Sequence, residues 1–207
     1  MQSKLAAFDQ IKSDSGRLLI AGVDEAGRGC LAGPVVAAAV ILDSSSISAM
    51  INDSKQLTAN RRDLAYVEVI KSALSWSAFA VSPAEIDSIN ILQATMLAMS
   101  DSIGRLPMVP DLVLIDGNKA PETDVDCETV IKGDAKSACI AAASIIAKVT
   151  RDRIMLEMHK RYPEYGFDEN KGYGAQSHMD ALKKYGATPI HRRTYRPVAD
   201  LLQGSLF

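Results

Sequence analysis

The chain has 207 residues, 47% hydrophobic and only 5% aromatic, with a net charge of −2 at neutral pH. That balance suits one sizeable domain with a core of Ala, Val, Ile, Leu and Met. No stretch reads as a membrane-spanning helix: the longest small-apolar run, Ala138 to Val149, contains Ser144 and Lys148 and falls short of the roughly 20 residues a span needs.

Two further features bound the class. Residues 1–18 lack the apolar stretch of a secretory signal. Cys30, Cys127 and Cys139 are odd in number and show no CxxC spacing, which argues against a disulfide framework or a zinc site and points to a reducing cytoplasm.

In chain order, Leu18 to Val23 is a short apolar run of strand character, and Val35 to Leu42 is a second, with Gly33-Pro34 before it. The stretch between them is too rich in glycine to continue as regular strand. Thr58 to Ser72 reads as a helix with Thr58 as its N-cap. Trp76 to Val81 reads as a strand, Pro83 to Asp87 as a short helix, and Ile91 to Arg105 as a longer one. Asp111 to Asp116 is a compact buried strand, and Glu128 to Ile131 another. Ala135 to Arg161 predicts a long helix and Ala175 to Tyr185 one more, and the tail from His191 is irregular until a last apolar cluster. Helices alternate with the later strands, which indicates an α/β or α+β domain with a mixed sheet.

The charge is uneven. Residues 132–196 hold 13 Lys/Arg against 7 Asp/Glu, whereas the remainder holds 10 against 18. A basic segment beside an acidic cluster suits an enzyme of nucleic acids better than the net charge does.

The acids themselves stand at strand ends. Asp24 and Glu25 follow Leu-Leu-Ile-Ala-Gly-Val, and Asp116 follows Leu-Val-Leu-Ile. Neighbours in a regular strand point to opposite faces, so Gly27 and Gly29 are expected to supply the turn that brings Asp24 and Glu25 together. Asp134 stands where the N-cap of the long helix should fall, which gives it a capping duty as an alternative. Clustered carboxylates repel one another unless a cation holds them. Without nearby His or Cys, the hard oxygen donors favour Mg²⁺ or Mn²⁺, and three or four acids around two such ions suit phosphodiester hydrolysis. Ser137, Ser144, Lys148 and Arg151 make a polar stripe on the long helix that is expected to border a nucleic-acid channel.

Gly27-Arg28-Gly29 leaves bare backbone able to approach a ligand, such as the 2′-OH that separates RNA from DNA. Arg28 could meanwhile pair with the adjacent phosphate.

With these motifs in order, the sequence resembles ribonuclease HII: Gly22-Val-Asp-Glu-Ala-Gly-Arg-Gly29, Leu31-Ala-Gly-Pro-Val35, Asp53-Ser-Lys55, Leu114-Ile-Asp-Gly117, Lys132-Gly-Asp-Ala-Lys136, Ala142 to Asp152, Gly172-Tyr-Gly174 and His191-Arg192. The resemblance implies an RNase H-like mixed sheet flanked by helices, with residues 1–160 as the catalytic domain and residues 161–207 as a C-terminal helical part packed on it. It implies cleavage of RNA in RNA–DNA hybrids and incision 5′ of a ribonucleotide embedded in duplex DNA, leaving 5′-phosphate and 3′-hydroxyl ends. Asp24, Glu25, Asp116 and Asp134 would be the catalytic, metal-holding acids, around two Mn²⁺ or Mg²⁺ ions. Gly27, Arg28 and Gly29 would sense the ribonucleotide, Tyr173 would stack at the RNA–DNA junction, and Lys55 and Arg192 would hold phosphates. Asp152 is expected in a structural ion pair. The turn with Arg28, and only about 17 residues before the first strand, favour type HII over type HIII.

Gln203 to Phe207 resembles peptides that dock on sliding clamps, so a clamp is an expected partner besides the nucleic acid; the protein is expected to be a monomer. Two rivals share some of these features. One is another metal nuclease or strand-transfer enzyme on a related sheet, and the other a non-catalytic DNA-binding or clamp-associated protein.

Overall fold

In the computed structural model, residues 4–13, 16, 19–43 and 58–204 are described. Lys55, and Ser205 to Phe207 of the clamp-like tail, lie outside them. The centre is a five-stranded sheet in the order β3-β2-β1-β4-β5, formed by β1 (Ile20–Ala26), β2 (Val35–Leu42), β3 (Ala73–Val81), β4 (Leu112–Asp116) and β5 (Cys127–Val130). β1–β2 and β2–β3 are antiparallel, while β1–β4 and β4–β5 are parallel. This is the mixed sheet expected from the element order.

β2 is buried along its whole length, because strands flank it on both sides and helices cover both faces. Its Ala38, Val40 and Leu42 pack on α4 (Ala138–Arg161) and α2 (Ala59–Ser72), and its Val35, Ala37, Ala39 and Ile41 pack on α3 (Pro83–Gly104). The edge strand β3 instead shows mixed burial.

Small residues decide how closely α4 approaches. Its first half is alanine-rich and buried, and it crosses β1 at Gly22, where a β-carbon would collide with the Cys139–Ile140 backbone. The helix therefore lies directly on the strand that carries Asp24.

Helix α1 (Lys4–Ser13) was not anticipated; it seats Leu5 in the α4 core. Thr58 does cap α2, its hydroxyl accepting the Arg61 N–H. The two helices expected over 83–105 are present within α3, parted at Asn90 (φ 66°), whose Oδ1 accepts the Leu92 and Gln93 amides. Beyond Arg161, α5 (Phe167–Asn170), α6 (Gln176–Tyr185) and α7 (Arg196–Gly204) follow. Tyr165, Phe167, Leu182 and Val198 of this part pack against Leu31, Ala32 and Met155. The tail is more regular than expected, since α7 occupies most of it.

Candidate active site

The site begins where two parallel strands end. Val23 is paired with Ile115, so Asp24 and Asp116 follow one another's line at the carboxyl ends of β1 and β4. β1 does not stop at the acids, as the glycine content suggested. It continues through Glu25 and Ala26, which pair with Ala37 and Val36 of β2. β4 ends at Asp116, and it is this early ending, not a turn, that leaves the acids at an open rim.

Asp24 is only 7% exposed. Its Oδ1 accepts the Glu25 N–H at 2.7 Å, and the Ser144 hydroxyl of α4 also bonds it. Burial pushes its carboxyl well above the usual carboxylate range; the charges of Glu25 and Asp116 add to this, and the hydrogen bonds oppose it. Burial likewise raises Glu25, with Asp116 adding, while Arg28 opposes through a 3.2 Å ion pair. Asp116 accepts the Gly133 amide at 2.6 Å. Lys132 takes a left-handed conformation before the 3₁₀ turn Gly133–Ala135, and this bend puts the buried Asp134 one residue beyond the Gly133 amide that meets Asp116.

Asp134 is therefore not the cap of α4. Ser137 is, accepting the Ile140 amide at 3.2 Å. The helix starts three residues later than expected because the 3₁₀ turn intervenes. Asp134 thereby loses its proposed capping duty and keeps only its place one residue from the Gly133 contact to Asp116.

A cleft of ≈ 240 Å³ opens beside this rim, lined by Glu25 and Ala26 of β1, the following Gly27, Arg62 of α2, Ser144, Ile145 and Lys148 of α4, and Tyr173. A larger depression of ≈ 740 Å³ lies along α3, with only Lys119 and Glu122 as charged lining. Of the two, the smaller one borders the strand-end acids through Glu25. Tyr173 is 45% exposed, with the Lys148 ammonium 5.7 Å from its ring centre and its hydroxyl bonded to the Cys30 thiol. Gly29 has open space where a side chain would be, whereas a β-carbon on Gly27 (φ 95°) would strike Arg151. The two glycines of the turn thus have different reasons to be glycine.

Two cations of the sequence reading occupy other places. Arg192 is fully buried. Its Nε donates to the Gly33 carbonyl at 3.1 Å, Nη1 to the Arg28 carbonyl at 2.7 Å and the Tyr195 hydroxyl at 3.0 Å, and Nη2 to the carbonyls of Gly27 at 2.6 Å and Gly33 at 3.0 Å. A guanidinium has five N–H donors, and all five are spent, so Arg192 has none left for a phosphate; it holds the turn from behind. Arg151, placed in the channel stripe, is also buried and donates to the carbonyls of Pro34, Ala32 and Lys171. Of that stripe, Ser144 and Lys148 reach the cleft and Ser137 serves as a cap. Asp152 forms its ion pair with Lys148 at 2.7 Å.

Sequence reasoning missed Arg62, which lines the cleft and lies 3.9 Å from Asp152; an ordinary helix surface gave no signal. It also missed the pair His178 and His191, whose Nε2 atoms are 3.0 Å apart.

Among the described residues, no three His, Cys, Asp or Glu side chains already stand in metal-holding geometry. The donor chemistry nonetheless fits a hard divalent cation. The charges of Glu25 and Asp116 raise the proton affinity of Asp24, and that of Asp116 raises Glu25, a repulsion that a bound cation relieves.

Comparisons with known proteins give the family. The sequence profile of the family described as Ribonuclease HII matches residues 21–198. A ribonuclease HII of Endomicrobium trichonymphae is 51% identical over 203 residues, covering 98% of this chain and 97% of that one. The crystal structure of ribonuclease H2 from Pyrococcus horikoshii superposes with a TM-score of 0.77 at 29% identity, covering 90% of this chain and 98% of that one. RNase HII of Archaeoglobus fulgidus, solved in a complex with PCNA, gives 0.75 at 27% identity over 86% and 95%. The chain belongs to the ribonuclease HII family and is a ribonuclease H hydrolase.

Proposed function

We propose that the protein hydrolyses the RNA strand of RNA–DNA hybrids and incises duplex DNA on the 5′ side of an embedded ribonucleotide. The observation that supports this reading is the adjacency of two different tools. At the β1–β4 rim the buried Asp24 lies beside Glu25 and Asp116, whose charges raise its proton affinity, and the chain just beyond β1 leads into an open backbone turn at Gly29.

Asp24, Glu25, Asp116 and Asp134 would hold the metal. Bound there, two Mg²⁺ or Mn²⁺ ions would supply water activation and neutralisation of charge on the leaving 3′-oxygen. The chain does the rest. Ser144 and the Glu25 amide orient the Asp24 carboxylate, and the Gly133 amide orients Asp116. Arg192 draws the Gly27 and Arg28 carbonyls inward, which leaves the outer side of the turn for a sugar 2′-OH. Arg28, half exposed and paired with Glu25, can exchange that partner for a phosphate. Tyr173 offers a half-exposed ring at the cleft for stacking on the next sugar, and Lys148 and Arg62 line the same cleft as cations. Lys55 is assigned to a phosphate by its sequence motif alone.

A sliding clamp is proposed as a protein partner through Gln203 to Phe207. Of this segment Gln203 and Gly204 are exposed at the end of α7, and the Archaeoglobus relative was solved bound to PCNA. Clamp affinity with and without residues 203–207 checks this; equal affinity would exclude the tail.

The principal experiment is metal-dependent cleavage of a duplex carrying one ribonucleotide, compared with the all-DNA duplex, with the cut mapped to its side. Cleavage of the all-DNA duplex would favour a general nuclease. No metal-dependent cleavage of either would favour a non-catalytic role.

A further inference from the structure

Behind the cleft, Gly-Arg-Gly and Tyr173 are connected through a part of the chain that the reaction itself does not use. His178 (on α6) and His191 are 0% and 1% exposed, enclosed by the rings of Tyr165 and Phe167. The Thr188 amide donates to His191 Nδ1 at 3.0 Å, which makes that nitrogen an acceptor and leaves the proton on Nε2. His191 Nε2–H then donates to His178 Nε2 at 3.0 Å, and His178 Nδ1–H donates to the Tyr173 carbonyl at 2.8 Å. The partners fix both tautomers, and both rings are neutral. Burial is the first cause holding both imidazoles below their usual pKa.

From each end of this pair the connections lead to the sensing turn. Next to His191, Arg192 donates its side chain to Gly27 and Arg28 and its amide to the Leu31 carbonyl. Ala32 and His191 form a β-bridge, and the Gly33 amide donates to the Ile190 carbonyl. Next to Tyr173, the Gly172 carbonyl accepts the Leu31 amide at 2.9 Å. The connections close into a ring: Leu31, Gly172, Tyr173, His178, His191, Arg192, and back to the turn.

We propose that the His178–His191 pair is a positioning device for the reaction, holding the Tyr173 turn and the Gly27–Gly29 turn at a fixed separation so that both meet one ribonucleotide junction. The roles of those two turns rest on the function proposed above. The pair itself touches no substrate. It removes freedom that binding would otherwise have to remove, which is the usual gain from preorganisation.

The test uses His178→Asn, which retains a donor for the Tyr173 carbonyl, and His191→Asn, which retains an acceptor for the Thr188 amide. Each severs the link between the rings. Val69→Ala, in the distant α2 core, serves as a control that lowers stability without touching the ring. Hydrogen exchange is read at the Leu31, Gly33 and Arg192 amides, and KM and kcat on the one-ribonucleotide duplex.

Each histidine variant is expected to speed exchange at those three amides and to raise KM roughly tenfold, the scale of one buried hydrogen bond, with kcat little changed. The double variant is expected to lose no more than either single one, since all three break the same link. Wild-type exchange in both variants overturns the proposal, as does an equal rise in KM for Val69→Ala. Exchange needs no substrate. An absence of ribonucleotide-dependent cleavage in the wild type would therefore strike the proposed function, while exchange would still decide whether the pair joins the two turns.

Discussion

Asp24 and Asp116 stand side by side because Val23 pairs with Ile115 in parallel register, and two strands 92 residues apart in sequence thus end at one rim. Both carboxylates are expected to be indispensable to cleavage and dispensable to folding. Asp24→Asn or Asp116→Asn should reduce cleavage by roughly 10³-fold or more, since several kcal/mol of charge stabilisation depends on the ions they hold. Circular dichroism and melting should show an intact fold. Near-normal rates at saturating metal in either variant would refute the assignment.

Without metal, Asp24 is a liability at neutral pH. Its folded pKa lies above the ordinary value of 3.8, so folding favours the protonated acid. That contribution is present below the ordinary value and is lost as pH rises through the folded value. Metal-free Asp24→Asn should therefore gain stability relative to the wild type as pH rises from 4 to 8, measured by urea unfolding. Added Mg²⁺ or Mn²⁺ should reverse the order by stabilising only the wild type, by about 2.7 kcal/mol at a hundred times the dissociation constant.

His191 acts in the opposite sense. Burial, and then its proximity to His178, lower it to about 4, so the unfolded chain binds a proton that the fold rejects. The neutral pair is fully stable above pH 6.5, and stability falls as pH drops from 6.5 to about 4. This loss is roughly 3 kcal/mol. His191→Asn should show a correspondingly smaller fall when unfolding is compared at pH 7.5 and 4.5.

The turn glycines separate structure from recognition. Gly27→Ala should destabilise the protein strongly, because its φ of 95° disfavours a side chain and the new methyl would strike Arg151. Gly29→Ala meets nothing within 4 Å, so melting should be unchanged. Any loss of cleavage by Gly29→Ala then reports a substrate approaching the bare backbone.

Arg192→Lys should cost about 3 kcal/mol or more, since one ammonium cannot reproduce five donated bonds in a buried place. The loss should be the same in high salt, whereas a phosphate-binding arginine would show its effect in salt-dependent substrate affinity.

Much of this site was legible in the sequence because strand-end acids and glycine turns carry local signals. β2, the Thr58 cap and the break before Ile91 were equally local, set by apolar runs and by residues that cap. What was not legible depended on depth. Arg151 and Arg192 read as surface cations, because no periodicity shows that backbone carbonyls from residues 27–34 surround them. Asp134 read as a cap because a 3₁₀ turn and a true N-cap differ by three residues of chain path. The His178–His191 contact joins a helix to a tail, and neither segment reveals the other.

The clamp of Arg192 on Gly27 also sets an order of events during synthesis. The two are 165 residues apart, so a nascent chain that has already made Asp24 and Asp116 still lacks the guanidinium that holds the Gly27–Gly29 turn. Ribosome-bound chains shorter than residue 192 should be unable to discriminate ribonucleotides, however well their sheet has formed. On the proposed function, selectivity would therefore wait on residue 192, long after the acids of the rim have been made.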